Sequence, residues 1–102
     1  MVDPTQILSN SRSLLHIAAG SGSLAWTTAL LNFNRDTLID ARDGNNWTPL
    51  HYAIDREHLH ISRALVESNC LIEAYDANGW TPLHAAMRRR NLECASLILS
   101  KD

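Results

Sequence analysis

The chain has 102 residues, 45% of them apolar and 20% charged, with a formal net charge of −2. That length fits one small domain, and the negative balance gives no overall attraction to nucleic acid. No apolar run approaches the ~20 residues of a membrane-spanning helix, and residues 1–10 lack the basic-then-apolar order of a secretory signal.

Residues 1–12 read as an N-terminal capping segment. Asp3-Pro4 has the form of a helix cap followed by a first helical residue, with Ile7 and Leu8 on one side. Its expected job is to cover the exposed face of the helices after it. Next comes Ser13-Leu14-Leu15-His16-Ile17-Ala18, which returns as Thr48-Pro49-Leu50-His51-Tyr52-Ala53 and again as Thr81-Pro82-Leu83-His84-Ala85-Ala86. The spacings are 35 and 33 positions. A period of this size marks an array of repeats, which needs only contacts between neighbours, and three units are about the minimum for stability. The hexapeptide has a mechanism: Ser or Thr caps a helix N-terminus, Pro follows where its missing N–H costs nothing, and Leu and Ala face inward.

The units are predicted at 13–40, 41–73 and 74–102. In the first, a helix over 14–19 is broken by Gly20-Ser21-Gly22. Ser23 caps a second helix carrying Leu24, Trp26, Leu30 and Leu31, which fades near Asn32 to Asn34. The second unit has helices over 49–55 and 59–68, and the third over 82–88 and 92–100, with Asn91 as the last cap. Ala18, Ala19, Ala53 and Ala86 permit close helix stacking. Leu15, Leu50 and Leu83 are expected to form one buried ladder, and Ile39 and Ile72 another. Cys70 and Cys94 stand in unlike contexts and read as buried free thiols, which suits an intracellular protein of the cytoplasm or nucleus. The last helix has only Glu93, Ser96 and Ser100 as a polar stripe, whereas a terminal repeat should present a polar outer face. The expectation is that the third unit is truncated from a longer protein or that its end docks onto something. The isolated chain would then be a monomer or show weak end-to-end self-association.

Between units the polar, turn-forming block Ile39-Asp40-Ala41-Arg42-Asp43-Gly44-Asn45-Asn46-Trp47 aligns with Ile72-Glu73-Ala74-Tyr75-Asp76-Ala77-Asn78-Gly79-Trp80. With these blocks, the period and the Thr-Pro-Leu-His signature, the chain resembles the ankyrin-repeat family over residues 12–102. It departs at Leu14, where the first proline is missing. Two extra residues near Arg35-Asp36 lengthen the first repeat, and Asn34 and Asn69 stand in place of the usual glycine after the second helix. The resemblance implies an all-α ankyrin-repeat solenoid of stacked helix-turn-helix units with hairpin-like fingers. Short first helices would line an inner face and longer second helices an outer one. It also implies a protein-protein interaction module that grips a protein or peptide through its concave face and finger tips. Carried onto this chain, those places are Arg42, Gly44, Asn45 and Trp47, with Asp55 and Arg56. In the third repeat they are Tyr75, Ala77, Asn78 and Trp80, with Arg88 and Arg89, and in the first Arg12, Gly20 and Ser21. Trp47 and Trp80, just before the cap threonines, are expected to stay largely exposed; with Tyr75 and the arginines they match the composition of interface hot spots. The bland alternative is that the indoles pack across adjacent fingers.

Other chemistry finds no constellation. His16, His51 and His84 are repeat-equivalent and about 10 Å apart by helix spacing, too far to share a metal with ligands at about 2 Å. Their expected role is to hydrogen-bond within their own turn and tie finger to helix. His58 and His60 bracket the start of a helix. Ser and Thr fall at caps and turns, and Gly20-Ser21-Gly22 lacks the lysine of a phosphate loop. No enzyme activity, cofactor or metal is therefore expected. Arg88-Arg89-Arg90 is a solvated turn or an acidic docking spot, whether for a carboxylate-rich peptide or for phosphate, since arginine forms bidentate pairs with both. Nucleic acid binding through this run is the weaker alternative, because Asp55, Glu57, Asp76 and Glu93 dilute its field. A regulatory or spacer segment of a larger multidomain protein is the remaining one.

Overall fold

A computed structural model describes residues 13–101; the capping segment expected at 1–12 lies outside them. Six helices run in order: α1 Leu14–Ser21, α2 Leu24–Leu38, α3 Pro49–Asp55, α4 Leu59–Glu67, α5 Pro82–Arg88 and α6 Leu92–Leu99. No strand occurs among the described residues. Ser13, Thr48 and Thr81 start the three inner helices from extended backbone, each hydroxyl accepting from the N–H three residues on. That third residue is His16, His51 or His84, and its Nδ1 accepts in return from the N–H of the cap residue at 3.0, 3.1 and 3.0 Å. This is a reciprocal capping box with imidazole in the place usually held by glutamate. The within-turn role expected of the three histidines is what the structure shows.

The turn between the two helices of each repeat needs left-handed backbone at one position: Gly22 (φ 85), Glu57 (φ 62) and Arg90 (φ 56). Only the first is glycine, and it has a second reason to be. A Cβ there would lie 2.9 Å from the His58 ring, which crosses from the second repeat to bond the Gly20 carbonyl at 3.2 Å. Asn69, after α4, is left-handed as expected (φ 66).

Neighbouring repeats pack inner helix on inner helix and outer on outer. The main contacts run α1 to α3 to α5 on one side and α2 to α4 to α6 on the other, with each pair closed within its repeat. Ala18, Ala19, Ala53 and Ala86 are buried along these seams, and Leu15 and Leu50 form the centre of the core. The ladder ends early, however. Leu83 and Ile72 are only half-buried where Leu50 and Ile39 are fully so, because nothing in the described chain covers the far side of the third repeat. Cys70 and Cys94 are buried and unpaired.

The first repeat corrects two expectations: α1 runs on through Gly20 to Ser21 and is capped only at Gly22, and the second concerns α2. α2 does not fade near Asn32 to Asn34; it continues to Leu38, so residue 34 lies inside the helix and not in a turn. The two extra residues are absorbed as added helix. Leu38 and Ile39 bury at its end, and Arg35 Nη1 donates to the Ser68 carbonyl at the end of α4 at 2.7 Å, a favourable place for a cation.

Candidate functional site

The two fingers are built on the same carboxylate device. Asp43 Oδ1 accepts from the N–H groups of Asn45 and Trp47, both at 2.9 Å. Asp76 Oδ1 accepts from Asn78 and Trp80, both at 2.8 Å. Each aspartate N–H also bonds the carbonyl of the tryptophan that closes its turn. Asp and Asn favour such local bonding, which fixes the turn without strand pairing. Tyr52 on α3 donates its hydroxyl to the other oxygen of Asp43, so finger and inner helix hold one another. Burial pushes the Asp76 carboxyl up, but the N–H groups of Trp80 and Asn78 and the Trp47 indole outweigh it and hold it below its ordinary value of 3.8.

One link from an inner helix to the next finger recurs, and further links join the two fingers once each. His16 Nε2 bonds the Trp47 carbonyl at 2.7 Å, and His51 Nε2 the Trp80 carbonyl at 3.3 Å. Since Nδ1 of each ring accepts from a backbone N–H, Nε2 carries the proton and donates. Trp47 Nε1 donates to Asp76 Oδ2 at 3.1 Å, Arg42 Nη1 to the Tyr75 carbonyl at 2.7 Å, and the Ala77 N–H to the Asn45 carbonyl at 2.9 Å. The Leu71 N–H donates to Asp40 at 2.7 Å. Burial lowers the pKa of His51 from 6.5, against the Trp80 carbonyl and Asp76, which favour the charged ring.

This network separates the candidate residues. Arg42, Asn45 and Trp47 are engaged between fingers. Trp47 is half-buried, stacked on His51 and edge-on to Tyr52, so the expectation that it stays largely exposed is corrected: its indole reaches the next finger's carboxylate. Trp80 is 40% exposed. It tilts over His84 and lies under the Arg88 guanidinium, 5.4 Å from its ring centroid. Its indole N–H has no partner among the described residues. Asp55 is nearly buried and receives Arg88 at 3.0 Å and Arg89 at 3.3 Å, so one carboxylate from the neighbouring repeat answers two arginines of the 88–90 run. Arg56, Tyr75 and Asn78 are exposed. A cleft of about 160 Å3 opens between the fingers, lined by Trp47 and His51 of the second repeat and by Asp76, Trp80 and Arg88 of the third.

Asp43, Asp76 and the reach of His58 were not singled out from sequence. Both aspartates stand five residues before a capping threonine, and that repetition was the available signal. No group of three or more potential metal ligands gathers among the described residues, and no described helix is long and apolar enough to cross a membrane. Burial raises the Cys70 thiol to about 12, helped by Asp40, and also raises Cys94. The reactive thiolate form is thereby suppressed in both.

Two curated proteins of Arabidopsis thaliana, acyl-CoA-binding domain-containing proteins 1 and 2, are each 55% identical to this chain over 31 residues. That stretch is 30% of this chain and 9% of either relative. The ankyrin-repeat family pattern, in three copies, matches residues 15–102. With its three capped helix pairs and clasped fingers, the chain belongs to the ankyrin-repeat family.

Proposed function

We propose that the chain binds an acidic segment of a partner protein or peptide on the concave side formed by its finger tips and the ends of α3 and α5. Ankyrin repeats are in general protein-interaction modules, and theirs is a non-catalytic interaction fold. The observation that carries the finer reading is Trp80. It is a large aromatic side chain, 40% exposed, whose ring lies under Arg88; Asn78 lines the same cleft, and Arg56, Arg89 and Tyr75 are also exposed. Aromatic and arginine side chains dominate binding energy at such places, and a preformed face has little ordering cost. A partner carboxylate would take guanidinium N–H groups that Asp55 now shares.

The test is capture of partners on the immobilised chain, followed by affinity measurement with the purified partner. Trp80→Ala is expected to weaken binding roughly thirtyfold, the size of a hot-spot loss, with little change in melting. Arg56→Glu and Arg89→Glu should weaken it further, while Trp47→Ala lowers the melting temperature. Unchanged affinity in Trp80→Ala would sink the reading. A second reading has one observation behind it. The matched relatives are far longer than the matched stretch and are named for a different domain. On that reading the repeats are the interaction arm or spacer of a multidomain protein.

A further inference from the structure

Every repeat has a face turned toward the next one, and in the first two repeats the described polar groups named below find partners across it. The histidine Nε2 meets a tryptophan carbonyl. In the second repeat the tryptophan indole meets a carboxylate, and the Asn45 carbonyl meets an N–H. Asp40, at the base of the finger that ends at Trp47, accepts the Leu71 N–H just before the finger that ends at Trp80. The third repeat carries the same groups 33 positions on: His84, Trp80, the Asn78 carbonyl and Glu73. Among the described residues, the His84 Nε2, the Trp80 Nε1, the Asn78 carbonyl and the Glu73 carboxylate have no partner.

The apolar positions behave alike. Ile54 and Val66 in the second repeat are 0% and 1% exposed, whereas their counterparts Met87 and Leu99 are 65% and 56% exposed. Leu83 and Ile72 are half-open over a cavity of about 90 Å3. An apolar patch set among hydrogen-bonding groups in a fixed register marks an interface, not an ordinary surface.

We propose that this face seats a further repeat of the same kind, in the same polypeptide beyond residue 102. Its finger would carry a carboxylate five residues before a capping Ser or Thr. The carboxylate accepts from the Trp80 indole, the carbonyl before the cap accepts from His84, and a finger N–H meets Asn78. A second copy of this chain is a poorer occupant. Its fingers at Asp43 and Asp76 are closed on their own preceding repeats, and the residue five places before Ser13 is Leu8, which has no carboxylate. A separate protein would have to bring the finger without the high effective concentration that direct linkage supplies.

Two measurements test this. The transcript read past codon 102 is expected to encode Asp or Glu five residues before Ser or Thr, about 33 residues after Asp76, the array's own period. A stop codon or an unrelated sequence there would overturn the proposal. Separately, the chain is extended by a second copy of residues 70–102, and hydrogen exchange of the Trp80 indole N–H and the melting temperature are recorded. Exchange should slow at least about fivefold, the factor matching one net hydrogen bond, and melting should rise. Trp80→Phe should leave the 102-residue chain's melting unchanged and remove part of the gain in the extended one. Unchanged exchange and melting on extension would also overturn it.

Discussion

Replacing Leu50 by alanine should cost far more than the same replacement at Leu83, although both residues come directly after the same Thr-Pro pair. Leu50 is wholly buried on α3, which packs against α1 on one side and α5 on the other. Truncation there removes the transfer term and leaves a cavity closed on both sides, for a loss of about 2–5 kcal/mol. Leu83 is half-buried. About half the transfer term is at stake and water can enter the space, so the loss should be about 1 kcal/mol. A domain of this size has a total stability of about 5–15 kcal/mol, so Leu50→Ala takes away a large share of it. Equilibrium urea unfolding of the two variants beside wild type measures both losses. Equal losses would refute the claim that the uncovered far side of the third repeat weakens the hold on its leucine.

Trp47→Phe should lower stability by about 1 kcal/mol, because it removes the indole bond to Asp76 while keeping the ring; a urea midpoint equal to wild type would contradict that. Gly22→Ala should destabilise by about 1–3 kcal/mol, since the position needs left-handed backbone and the methyl meets the His58 ring; Gly22→Ala combined with His58→Ala should recover the steric part. The pH dependence has a defined sign. The folded state holds His51 below its ordinary 6.5, so the unfolded chain binds more protons just below that pH. The contribution of His51 is complete above pH 6.5 and is lost as pH falls toward the folded value. The Asp76 carboxyl, held below 3.8, adds a further loss as pH drops past that point. Urea midpoints that rise from pH 7 to pH 5 would contradict the assignment for His51.

Much of the architecture was legible from spacing. The Thr-Pro-Leu-His hexapeptide and its weaker first copy located the starts of α1, α3 and α5, and Asn69 marked a turn. The course of α2 was not legible, because its added turn packs Leu38 and Ile39 into the core and sets Arg35 on a carbonyl 33 residues away, and local propensity carries no information about such contacts. The division of labour between Trp47 and Trp80 was hidden for the same reason. The two residues occupy the same place in their repeats, and only the presence of a following finger makes one a structural link and leaves the other open. The histidines were readable because their main bonds are to the turn they sit in.

The arginine that joins α2 to the end of α4 has no counterpart one repeat later: among the described residues no side chain of α4 reaches the end of α6. The convex side is therefore strapped between the first two units and unstrapped between the last two. Sliding between outer helices should therefore be easiest where α4 meets α6, while the Trp47–Asp76 bond and the Asp55 ion pairs keep the inner side of that seam in register.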